Sequence, residues 1–71
     1  MTKELKLLDV VALLKAMAEE KLQEGQVGTI VEILDENVYE VEFTDRQGQT
    51  LTTCAVHSAD LLQLQYELEF A

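Results

Sequence analysis

From residue 62 to residue 70 apolar and polar side chains alternate without a break, with Leu62, Leu64, Tyr66, Leu68 and Phe70 set against Gln63, Gln65, Glu67 and Glu69. A period of two sends the two sets to opposite faces of an extended chain, so this run predicts a strand with one face buried. The run is longer than the five or six residues usual for a strand. Its far end is therefore expected to project beyond the domain toward an apolar partner.

The same alternation recurs at Tyr39, Val41 and Phe43, separated by Glu40 and Glu42. Upstream, Val27-Gly28-Thr29-Ile30-Val31-Glu32-Ile33-Leu34 is rich in β-branched residues and apolar at both parities, and Asp35-Glu36-Asn37 between the two runs favours a tight turn. Together they predict a hairpin. A second hairpin follows, with Thr44 to Gln49 as a polar loop containing Gly48 and Leu51 to Val56 as the returning strand. His57 to Leu61 suits a single turn into the last strand.

The N-terminal third is less determined. Leu7 to Leu14 is almost continuously apolar, which fits a buried strand or one side of a helix. The reading adopted is a strand over about Leu8 to Leu14. A connection follows through Lys15 to Glu24, holding one or two helical turns and stopping at Gly25. There are no internal repeats and no prolines, and 71 residues make one domain. The fold class is all-β, with five short strands, a long first connection and a one-turn crossover before the final strand.

Gly25 and Gly28 flank the entry to the second strand, where a residue without a Cβ accepts left-handed backbone angles or the close approach of a neighbouring strand. No Gly-Lys-[Ser/Thr] follows, so this is not a phosphate loop. With Tyr39-Glu40-Val41-Glu42-Phe43 and Gly48 downstream, the element Gly25-Gln26-Val27-Gly28-Thr29-Ile30 resembles the opening of the second strand in SH3-like barrels. Together with Leu7-Leu8-Asp9-Val10-Val11-Ala12-Leu13-Leu14 and Leu61-Leu62-Gln63-Leu64, it is similar to a small bacterial family known as domain of unknown function four-nine-two-six. The resemblance covers roughly residues 7–66. It implies an SH3-like barrel with its first strand over Leu8 to Leu14, and it carries over no activity and no catalytic residue. One departure is Lys15-Ala16-Met17-Ala18-Glu19-Glu20 where a proline- or glycine-bearing loop is expected, which bears on that loop and not on the barrel.

Charge narrows the function. The formal net charge is −9, and residues 25–71 hold Arg46 alone against nine acids, a net of −8. Nucleic-acid affinity rests on Lys and Arg displacing counterions from phosphates, so direct binding to nucleic acid is disfavoured. The same field attracts basic partners, although acidity also serves solubility. No span approaches the apolar length of a membrane helix and no secretory leader is evident, so a soluble cytoplasmic protein is expected. The single Cys54 has no partner for an internal disulfide, which suits a reducing compartment.

Candidate chemistry is thin. Cys54, His57 and Asp60 stand three residues apart, a spacing that invites a metal or nucleophile reading. Strand-to-turn residues at that spacing need not converge, and Cys54 is read as a small core hydrophobe with His57 at a turn. Glu40 and Glu42 share a strand face, with Glu32 a candidate neighbour across from them. They are read as a solvated face, because no cleft is expected to desolvate one member as acid–base catalysis requires. Neither a cofactor nor a metal is expected, and no motif supports an enzyme.

The reading is a non-catalytic protein–protein interaction module: an acidic accessory or regulatory subunit that docks a basic protein surface, in an antitoxin-like manner. The partner-binding residues expected are Glu40, Glu42, Arg46, Tyr66, Glu67, Leu68, Glu69 and Phe70. A homodimer through the C-terminal strand is a second expectation, with Leu68 and Phe70 as its apolar contacts. The alternative is an RNA- or ribosome-associated SH3-like factor. It would stack bases on Tyr39, Phe43 or Tyr66, but without the cationic groove that normally accompanies stacking.

Overall fold

The computed structural model describes residues 5–64. Their strands are β1 (Val10–Leu13), β2 (Val27–Asp35), β3 (Val38–Thr44), β4 (Thr50–His57) and β5 (Leu61–Leu64), with 3-10 turns at Ala18–Glu20 and Ser58–Asp60. All pairings are antiparallel in one sheet of order β4-β3-β2-β1-β5. The five expected strands, both hairpins and the one-turn crossover are present. The 15–24 connection contains one 3-10 turn, and among the described residues there is no α-helix.

Among the described residues hydrogen bonding does not close the expected barrel, because β4 and β5 are the two ends of the strand order and do not pair. The excursion between β1 and β2 supplies core cover in place of a closing ladder. Leu22 is buried at 3% exposure and Met17 packs on the core, the two joined by backbone bonds in both directions, at 2.9 and 3.0 Å. Met17 of the excursion and Cys54 of β4 both pack against the same core cluster.

One face of the sheet carries the core. Val11, Gly28 and Phe43 stand in register across β1, β2 and β3, and Ile30 faces Val41, which faces Cys54. Ile33, Tyr39 and Val56 form the next row. Val11, Ile30, Val41 and Phe43 are fully buried, while Leu13 and Leu61, paired across β1 and β5, close the near end. Gly28 makes this packing possible. A Cβ there would lie 2.7 Å from Val41 Cγ1 and 2.8 Å from both the Glu42 carbonyl oxygen and Phe43 Cδ1, so the role of this glycine is close approach. Gly25 is the one with left-handed backbone, at φ +90°.

Three details depart from the sequence reading. β1 is shorter than Leu8 to Leu14, because Leu8 turns out of the strand at φ 72° and Leu14 is exposed. β2, apolar at both parities, is exposed from Val31 to Asp35. Register shifts fall between Ile30 and Glu32 and between Ile33 and Asp35, and the short β1 leaves Val31, Ile33 and Leu34 exposed at 40–50%. In β5 the parity is the reverse of that expected. Leu61 is fully buried whereas Leu62 is 47% exposed, so Leu62 and Leu64 point away from the core.

Candidate functional site

The sheet face opposite the core has two halves of different chemistry. On β2, β3 and β4 the register aligns Thr29 with Glu42 and Thr53, and Glu32 with Glu40 and Ala55. Glu32 and Glu40 are thus direct cross-strand neighbours, which antiparallel geometry holds to within about 4.5–5.5 Å at the Cβ atoms. Strand period sends Glu40 and Glu42 to one face because Tyr39, Val41 and Phe43 take the other. Both glutamates are half-buried by their neighbours. Glu42 Oε2 accepts a hydrogen bond from Thr50 Oγ1 at 2.6 Å. Glu32, expected only as a candidate neighbour, is thereby a member of the patch.

Toward β1 and β5 the same face becomes apolar. Ala12 aligns with Val27 on one side and Leu62 on the other, and Val10 aligns with Leu64. Gln63, on the core parity opposite Val11, donates its side-chain amide to Asp9 Oδ2 at 3.0 Å. Of the expected partner residues, Tyr66, Glu67, Leu68, Glu69 and Phe70 lie outside the described residues.

Arg46 stands exposed at the tip of the β3–β4 loop. Its neighbour Asp45 is occupied otherwise than as an ion-pair partner, with Oδ1 accepting from the backbone N–H groups of Gln47 and Gln49, both at 2.9 Å. Arg46 therefore lies in a loop that Asp45 ties, away from Glu32 and Glu40 near the far end of β3.

Cys54, His57 and Asp60 do not converge either. Cys54 packs half-buried against the core, and burial, followed by the negative charge of Glu20, pushes its thiol above the usual range. His57 Nδ1 accepts from Ala59 N at 3.0 Å, capping the second 3-10 turn. Asp60 pairs with Lys15 Nζ at 3.5 Å. Each of the three has its own local task, and among the described residues no group of three His, Cys, Asp or Glu side chains is placed to hold a metal ion.

Sequence reasoning did not anticipate the exposure of Leu7, Leu8, Val31, Ile33 and Leu34, Leu8 to 75%. Val31, Ile33 and Leu34 belong to the run that is apolar at both parities.

The profile of the family described as Domain of unknown function (DUF4926) matches residues 7–63. The chain belongs to that family. The matched segment runs from just before β1 to the penultimate residue of β5. Neither a curated protein nor a solved structure matches the chain. No helix of the described residues is long and apolar enough to cross a membrane.

Proposed function

We propose that this DUF4926 domain is a non-catalytic interaction module whose acidic sheet face docks a basic surface on a protein partner, as an accessory or regulatory subunit of the antitoxin-like kind. The observation that carries the reading is the direct apposition of Glu32 and Glu40 on adjacent strands, with Glu42 further along the same face of β3. Like charges opposite one another in a sheet are destabilising, and the residues in register beside them, Thr29, Thr53 and Ala55, carry no cation to offset it. A partner that brings Lys or Arg to this face relieves the repulsion on binding, and the chain's net charge of −9 speeds the encounter.

Strand side chains that are exposed or only half-buried on a sheet face suit docking better than chemistry, because acid–base catalysis needs a cleft that desolvates one carboxyl. The cytoplasm is the proposed setting, in keeping with a single cysteine, Cys54, that has no partner for an internal disulfide.

The test is affinity capture from the native cell with wild type and with Glu32→Gln/Glu40→Gln/Glu42→Gln. The reading expects a basic protein retained by wild type and lost from the variant at equal folding. Equal retention by both removes the acidic face from the account.

A further inference from the structure

β4 ends the sheet, and among the described residues neither a strand nor a backbone hydrogen bond occupies its outer edge. One bond fixes the phase of that edge. Ser58 N–H donates to the Asn37 carbonyl at 2.8 Å, just beyond the Val38 and His57 pair. Residues of an antiparallel ladder alternate between those bonded to the facing strand and those whose N–H and C=O point away from it. Counted from the Ser58 bond, Thr52, Cys54 and Val56 bond β3, while Thr53, Ala55 and His57 turn their backbone groups outward.

This edge is unguarded. Edge strands are ordinarily blunted by charge, proline or a bulge. Residues 47–59 include no Asp, Glu, Lys, Arg or Pro, and the one register shift against β3 lies at the start of β4, between Phe43 and Thr44. Residues 53–57 are therefore a regular template for one more strand.

The side chains beside the edge select what that strand carries. Ala55 stands in register with Glu40 and Thr53 with Glu42, so one small, exposed neighbour separates each half-buried glutamate from the open side. An added residue bonded opposite Thr53 or Ala55 points its side chain to this same face. Its backbone lies two strand spacings, roughly 10 Å, from β3. The long stem of a lysine or arginine crosses that gap over Ala55 or Thr53 to meet the carboxylate. The residues between turn to the core face beside half-buried Cys54, where apolar side chains fit. A second copy of β4 would bring no Lys or Arg to the edge and would leave Glu40 and Glu42 uncompensated.

We propose that the partner docks as a strand: an extended segment alternating Lys or Arg with apolar residues adds antiparallel to the outer edge of β4, its cations reaching Glu40 and Glu42. This rests on the acidic-face reading and gives the partner's contact segment a conformation and a spacing.

The probe is a fluorescent peptide of alternating lysine and valine, compared with a block isomer of the same composition whose lysines are contiguous. Anisotropy with the full chain should favour the alternating peptide by about tenfold. In hydrogen exchange its addition should protect the Thr53, Ala55 and His57 amides, whereas those of Thr52, Cys54 and Val56 are protected already. Ala55→Pro removes an outward N–H that β3 does not use, so the protein should fold and bind about tenfold more weakly. Ala55→Lys keeps the backbone edge and sets a cation beside Glu40, and should weaken binding as well. Equal binding of the block isomer, or binding without new protection of the three amides, overturns the strand proposal and leaves the acidic face standing. Glu32→Gln/Glu40→Gln/Glu42→Gln binding the alternating peptide as tightly as wild type removes the acidic face itself. A wild type that binds neither peptide, or one that sediments as a dimer with the three amides already protected, overturns the proposal too.

Discussion

Gly28 stands opposite Phe43 in the β2–β3 ladder, so close that a Cβ on residue 28 would sit 2.8 Å from the ring's Cδ1. The ring cannot yield alone, since Val41 Cγ1 and the backbone oxygen of Glu42 crowd the same point at 2.7 and 2.8 Å. Gly28→Ala must therefore push β2 away from β3 at the centre of the core. Overpacking of this kind costs about 1–3 kcal/mol, a large fraction of what so small a domain has. A urea titration should show a lower midpoint with unchanged slope. A midpoint equal to wild type would mean that the strands are not held this closely.

Asp45 holds the β3–β4 loop by accepting two backbone N–H bonds with one oxygen. Asp45→Ala removes both and should cost about 1–2 kcal/mol, whereas Asp45→Asn retains an acceptor oxygen and should lose less. Thermal denaturation gives the ranking. Hydrogen exchange of the Gln47 and Gln49 amides gives the location, with protection lost in Asp45→Ala.

Glu32 and Glu40 face each other with no cation in register between them and their neighbours. Neutralising one, by Glu32→Gln, should stabilise the free protein by about 0.2–1 kcal/mol at low salt, with the gain shrinking as salt screens the pair. The same change should weaken partner capture. Opposite signs for stability and binding distinguish a docking patch from a surface that serves only solubility.

Cys54 is disfavoured as a thiolate, chiefly by burial and then by the charge of Glu20. The folded state therefore keeps this proton more tightly than the unfolded chain. That contribution to stability is complete below the ordinary thiol value and is lost as pH rises through the raised one. Reaction with iodoacetamide at neutral pH should be slower than for an unfolded control, because the thiolate is the nucleophile. Glu20→Gln should speed the reaction modestly by removing the second cause while leaving the first.

Much of this fold was legible from pattern. The alternation at Tyr39, Val41 and Phe43 reports a strand with one wet face, and all three residues are buried while Glu40 and Glu42 are not. The hairpin turn at Asp35 to Asn37 and the single turn before β5 followed from residues that favour them. Burial on β2 was not legible, because two register shifts in the ladder alter which face a residue takes and no local signal marks them. Parity in β5 failed for a related reason. A period of two says that one face is apolar but not that the apolar face meets the core, and Leu61, one position before the alternation, is the residue that does. In the candidate site, Glu40 and Glu42 were recognisable as neighbours from spacing, whereas the apposition of Glu32 depends on long-range register.

The central claim is that charge on the acidic sheet face drives docking. Its most direct test is the affinity of the captured basic partner, purified, measured across a range of ionic strength for wild type and for Glu32→Gln/Glu40→Gln/Glu42→Gln. The account predicts that wild-type affinity falls steeply with salt and that the triple variant binds more weakly with a flatter dependence. Parallel salt dependences of equal affinity would contradict it.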